Sequence, residues 1–82
     1  NKDAPANSKS SAISSDEVFR CLADPTRHRL LQLLLTEELN VSQLVAILAQ
    51  PQSTVSRHLK VLRDSGLVRD RRTATAVFYQ GT

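Results

Sequence analysis

The chain has 82 residues, of which 40% are hydrophobic and only 4% aromatic, and its net charge is +3. That length holds one small domain with a thin core, and a core built on Leu, Val and Ala suits helices better than a β-sandwich. The single cysteine, Cys21, excludes an internal disulfide and a Cys-rich metal site, and no apolar run reaches the roughly 18 residues of a membrane span.

Residues 1–12, NKDAPANSKSSA, have no periodicity, and residues 1–14 are expected to form a disordered arm ahead of one domain over residues 15–82. Ser15 is positioned to cap a first helix, with Asp16 and Glu17 in its first turn and Val18, Phe19, Leu22 and Ala23 as its apolar side. Asp24-Pro25 then starts a second helix, Asp24 as cap and Pro25 at the first helical position. It runs to about Leu35. Leu30, Leu31, Leu33, Leu34 and Leu35 cover most of its circumference, which predicts the most buried helix of the domain. Residues 37–40 read as a turn, and a short third helix begins near Ser42.

Gln50-Pro51 breaks that helix, and the next segment is the most telling one. From Gln52 onward, Val55, His58, Leu59 and Leu62 recur at helical spacing on one face. Ser53, Ser56, Arg57 and Lys60 occupy the opposite face. Small hydroxyls and cations near a helix N-terminus suit entry into a DNA major groove, where base edges and phosphates are both in reach. Arg57 is the strongest base-reading candidate, because its planar fork matches the O6 and N7 acceptors of guanine. Lys60 and Arg63 are expected to clamp phosphates.

Gly66 ends the helix. The strand that follows carries Arg69, Arg71 and Arg72, and a second strand over residues 76–80 completes a hairpin. Its turn lacks Gly or Asn-Gly, so a looser, mobile tip is expected. Charge is divided unevenly along the chain. Residues 52–72 hold six cations and two anions, whereas residues 1–51 hold five cations and six anions. A basic half joined to a near-neutral half suits a polyanionic partner. The predicted fold class is therefore mainly α with a β-hairpin wing: a winged helix-turn-helix.

Taken together, CLADPTRHRLLQLLL, EELNVSQLVAIL, STVSRHLKVLRDSGLV and RDRRTATAVFYQ resemble the ArsR/SmtB family of bacterial transcriptional repressors, over about residues 16–80. The run AQPQSTVSRHLKVL also looks like the module fused ahead of methyltransferase-like domains in some members. The resemblance implies sequence-specific binding of double-stranded DNA, with the helix from Gln52 in the major groove. It carries over Gln52, Ser53, Thr54, Ser56 and Arg57 as reading residues. Arg71 and Arg72 of the wing would grip the flanking backbone or minor groove. It also implies a homodimer, held chiefly by the first helix and by a helix following the wing. The sequence stops at Thr82 and does not begin with Met, so a fragment of something longer is expected, monomeric or weakly dimeric by itself.

Where many relatives carry an ELCVC-type sensor motif, this chain reads Glu38-Leu39-Asn40-Val41-Ser42. Asn40 and Ser42 are not soft-metal ligands, so no metal and no cofactor are expected. Cys21, beside Leu22 and Ala23, reads as a small packed residue. His58, on the apolar face, reads as a hydrogen-bonded, partly buried histidine. Catalysis is not expected, since no nucleophile–base pair, carboxylate pair or Gly-rich loop is present. With a polar N-terminus and no secretory signal, a cytoplasmic location is expected. The competing reading is a winged helix that docks an acidic protein partner without binding DNA.

Overall fold

The computed structural model describes residues 15–82; the proposed arm over residues 1–14 lies outside the described part. Helix α1, Ser15–Leu22, starts with Asp16 and Glu17 and ends with Arg20, so its charges complement the helix dipole at both ends. Its core contact is Cys21, 5% exposed. Phe19, expected on the apolar side, is instead 72% exposed. An eight-residue helix buries only a narrow stripe, and Cys21 occupies it.

Helix α2, Pro25–Thr36, begins as its sequence predicts. The Asp24 carboxylate accepts a hydrogen bond from the Arg27 backbone N–H at 3.0 Å, and Pro25 occupies the first turn. Only Leu30 and Leu34 are fully buried, however, and Leu35 is exposed. The five leucines were expected to bury the helix all round. It has instead one core stripe flanked by the half-buried Leu31 and Leu33.

Residues 39–40 are not a turn. Leu39–Asn40 form a short strand, β1, paired with a strand near the end of the domain, and Leu39 enters the core. Two residues show no period, and their partner is far along the chain, so local pattern has no signal for them. Asn40 also caps helix α3, Val41–Leu48, in a reciprocal box: its side chain accepts from Gln43 N–H, and the Gln43 side chain accepts from Asn40 N–H, both at 2.9 Å. Ala49 closes α3 in the left-handed region at φ 54°.

Helix α4, Gln52–Asp64, buries Val55, His58, Leu59 and Leu62, the four residues its spacing selects. It ends in a Schellman motif. Gly66 lies at φ 80°, its N–H bonds the Arg63 carbonyl, and Leu67 N–H bonds the Leu62 carbonyl, both at 2.9 Å. That stop turns the chain into β2, Val68–Arg72, which pairs antiparallel with β3, Val77–Gly81. The sheet order is β1-β3-β2.

The hairpin tip is closed rather than loose. Thr73 N–H and Oγ1 both bond the Ala76 carbonyl, and Oγ1 accepts from Ala76 N–H at 3.0 Å. A threonine side chain thus does the work that a glycine turn would otherwise do. Leu30, Leu34, Leu44, Val55, Leu59 and Leu62 form the fully buried centre where α2, α3 and α4 meet. Gly81 lets β3 cross the end of α2: a Cβ there would sit 2.7 Å from Leu35 Cδ2 and 3.3 Å from the Leu34 carbonyl oxygen.

Candidate nucleic-acid interface

The turn between α3 and α4 spans residues 49–51. It is pinned to the start of α2 by Gln50, whose Nε2 donates to Thr26 Oγ1 at 3.1 Å. Pro51, the cap of α4, makes no side-chain capping bond. The first amides of α4 therefore point outward without a side-chain acceptor, at the positive end of a well-anchored helix. Around them Gln52, Ser53, Ser56, Arg57 and Lys60 are exposed, and Thr54 is half-buried.

The back of α4 is fixed by a polar node. His58 is 8% exposed. Its Nδ1 lies 3.5 Å from Arg27 Nη1, and its Nε2 lies 3.9 Å from the Asp24 carboxylate. A guanidinium only donates, so Nδ1 accepts and Nε2 carries the proton toward Asp24. Burial holds the imidazole below its ordinary pKa; Asp24 opposes that effect, while Arg27 and Arg57 reinforce it. The Asp24 carboxyl is also held low, chiefly by the Arg27 backbone N–H. Arg27 in turn donates to the carbonyls of Cys21 at 2.8 Å and Arg20 at 3.4 Å, tying the end of α1 to this node. Cys21 Sγ rests 3.0 Å from Ser65 Oγ just past α4. Both residues thus have packing roles.

The basic residues differ sharply in how free they are. Lys60 pairs with Asp64 at 2.9 Å. Arg63 is half-buried between Asp64 and Asp70, each at 3.7 Å, and so braces α4 against β2. Arg69 donates to Gln80 at 3.3 Å. Arg71 makes a two-pronged bridge to Glu38, at 2.9 and 3.0 Å, and lies over the Phe78 ring. Arg57 and Arg72 are exposed and have no hydrogen-bond or ion-pair partner among the described residues.

Strand alternation separates the wing cations further. Asp70 reaches Arg63 on the α4 side of the sheet, and Val68 and Arg72 share its parity. Arg69 and Arg71 stand on the opposite face with Gln80 and Phe78. The structure thus gathers Gln52, Ser53, Ser56 and Arg57 into one exposed patch on α4 and places Arg71 apart from Arg72. Reading the sequence missed the carboxylates that occupy the cations. Asp64, four residues beyond Lys60, was visible in the helical spacing. Glu38 was not, since only the fold brings it to Arg71.

Two helices around a tight turn, the second with a polar, cationic outer face and followed by a basic hairpin, make this a winged helix-turn-helix protein. The chain belongs to the bacterial regulatory protein arsR family, whose model matches residues 24–70. That family comprises transcriptional regulators, not enzymes. The chain is 45% identical over 64 residues to the HTH-type transcriptional regulator KmtR of Mycobacterium tuberculosis, covering 78% of this chain and 49% of that protein. It is 46% identical over 66 residues to the arsenical resistance operon repressor of Escherichia coli, covering 78% of this chain and 56% of the repressor. Among solved structures, HlyU from Vibrio cholerae superimposes with a TM-score of 0.79 at 37% identity, over 83% of this chain and 74% of HlyU. The chain spans about half the length of several curated relatives it matches. Among the described residues, no three His, Cys, Asp or Glu side chains cluster as a metal site requires, and no helix is long and apolar enough to cross a membrane.

Proposed function

We propose that this chain is the DNA-reading domain of an ArsR-type transcriptional repressor that binds double-stranded DNA sequence-specifically. The observation that carries the reading is the outer face of α4. Its N-terminal amides have no side-chain cap, Gln52, Ser53 and Ser56 are exposed beside them, and Arg57 is unpaired among the described residues. Its inner face is locked by Val55, His58, Leu59 and Leu62. A rigid helix that presents donors and a free guanidinium fits the major groove. Gln52, Ser53, Thr54, Ser56 and Arg57 then read bases or adjacent phosphates, and Arg72 meets the backbone. Lys60, Arg63 and Arg71 reach a phosphate only by giving up a carboxylate.

The intact protein acts as a homodimer on a near-palindromic site, in the cytoplasm where the chromosome lies. The relatives' names as regulators and repressors support the DNA-reading role of the domain. An acidic protein partner is less well supported, because α4 exposes no aromatic anchor. Selection from a pool of random duplexes tests the proposal. The chain should enrich a defined sequence that it binds at least ~10³-fold more tightly than random DNA at physiological salt. Equal retention of all duplexes would overturn sequence-specific reading, and no retention would favour the protein partner.

A further inference from the structure

The wing is held from both faces. On the α4 side, Asp70 meets Arg63 at 3.7 Å. On the other side, Arg71 bridges Glu38 through two nitrogens, at 2.9 and 3.0 Å, with its guanidinium carbon 5.1 Å from the centre of the Phe78 ring. Glu38 directly precedes β1 and stands two residues before Asn40, the cap of α3. The bridge therefore connects the hairpin to the root of the helix-turn-helix. Two parallel N–H···O bonds fix angle as well as distance, which a single point charge does not.

We propose that Arg71 and Glu38 are the positioning pair of the wing, setting the angle at which the hairpin presents Arg72 to DNA, and that Arg72 rather than Arg71 takes the phosphate. This rests on the DNA-reading function proposed above. Three observations carry it. Arg71 stands on the sheet face turned away from α4, whereas Arg72 shares the parity of Asp70. Among the described residues Arg72 has no partner to lose, whereas Arg71 would leave Glu38 unpaired close to a polyanion. The Glu38 carboxyl is held below the usual range chiefly by its hydrogen bond from Arg71, so it stays charged and paired at neutral pH.

The test uses the full chain, a selected duplex and five variants, one of them Arg71→Gln, which removes the charge. Arg71→Lys keeps the charge but not the fork. Glu38→Gln removes the acceptor charge. Exchanging the pair, Glu38→Arg with Arg71→Glu, restores a bridge of reversed polarity. Arg72→Gln removes the proposed phosphate contact. Arg71→Lys and Glu38→Gln should each weaken binding roughly three- to tenfold without changing the slope of log affinity against log salt, whereas Arg72→Gln should flatten that slope by about 0.9. The exchanged pair should recover affinity to within roughly threefold of the parent, since the bridge and not the Arg71 charge is what counts.

A DNA-free readout separates positioning from contact. Amide exchange at Phe78, paired with Arg71 in the hairpin, should speed up in Arg71→Lys and Glu38→Gln and return toward the parent rate in the exchanged pair. The positioning role is overturned if Arg71→Lys binds like the parent, if replacing Arg71 by Gln flattens the salt slope as Arg72→Gln does, or if the exchanged pair loses binding while its wing amides are protected. Failure of the parent chain to bind any duplex would instead overturn the DNA reading on which the pair's role rests.

Discussion

Arg57 and His58 are adjacent in sequence and opposite in circumstance. Arg57 is exposed and has no partner among the described residues, and His58 is sealed beneath the same helix. Arg57→Ala should cost about 1–3 kcal/mol on a selected duplex and much less on random DNA, as measured by titration. Equal losses on both would make Arg57 a phosphate clamp. For His58, burial keeps the folded imidazole's pKa below 6.5. The unfolded chain therefore takes up a proton at a higher pH than the folded chain does. Stability should be complete above about pH 6.5 and fall as the pH drops from there through the folded pKa. Asp24 stays ionised across that window, because its own pKa is lowered. Melting curves from pH 8 to pH 5 should show the fall in the parent and lose it in His58→Gln. A fall of equal size in His58→Gln would assign it to another group. The place of His58 on the apolar face was legible in the helical spacing. Its partners Arg27 and Asp24 were not, since they lie on a different helix.

The helix ends show how far local chemistry was readable. Asp24-Pro25 and Gly66 announced their roles, because a cap, a first-turn proline and a C-terminal glycine act within a few residues of themselves. Ala49 gave no such signal, yet it holds the left-handed conformation that ends α3. The cost of a Cβ there is about 1–2 kcal/mol. Ala49→Gly should therefore raise stability by about 1 kcal/mol, and Gly66→Ala should lower it by a similar amount, both read by denaturant unfolding. Matching signs at the two sites would show that packing rather than backbone strain decides there. The hairpin tip was misjudged for a related reason. Glycine is the usual sign of a tight turn, and here the Thr73 hydroxyl closes it without one. Strand β1 was hidden entirely, as its only support is a non-local partner.

For the whole molecule, uneven charge and helical periodicity together carried the fold class, since both are summed over many residues and survive local errors. They did not carry the balance of the interface, which depends on which carboxylates fold against which cations. Asp64, Asp70 and Glu38 engage Lys60, Arg63 and Arg71. The effective cation supply is therefore smaller than the sequence tally. Asn40 is engaged in helix capping, Cys21 is buried, and no metal-type cluster exists among the described residues. Addition of zinc, cadmium or arsenite should accordingly leave the DNA affinity of this chain unchanged in a gel-shift titration. Reversible, stoichiometric release of DNA by any of them would point to Cys21.

The middle position of β3 has a consequence for the order of assembly. β1 and β2 are not paired with each other, and among the described residues each finds its only sheet partner in residues 77–81. The capped helices can form from contacts close in sequence, but neither outer strand has anything to pair with until β3 arrives. Seating β3 joins Leu39 to Tyr79 and Val68 to Gly81. The first of these closures spans much of the chain and carries a correspondingly large entropic cost. The helical scaffold is thus poised to form before the sheet, and the wing completes only when β3 is laid between two waiting edges.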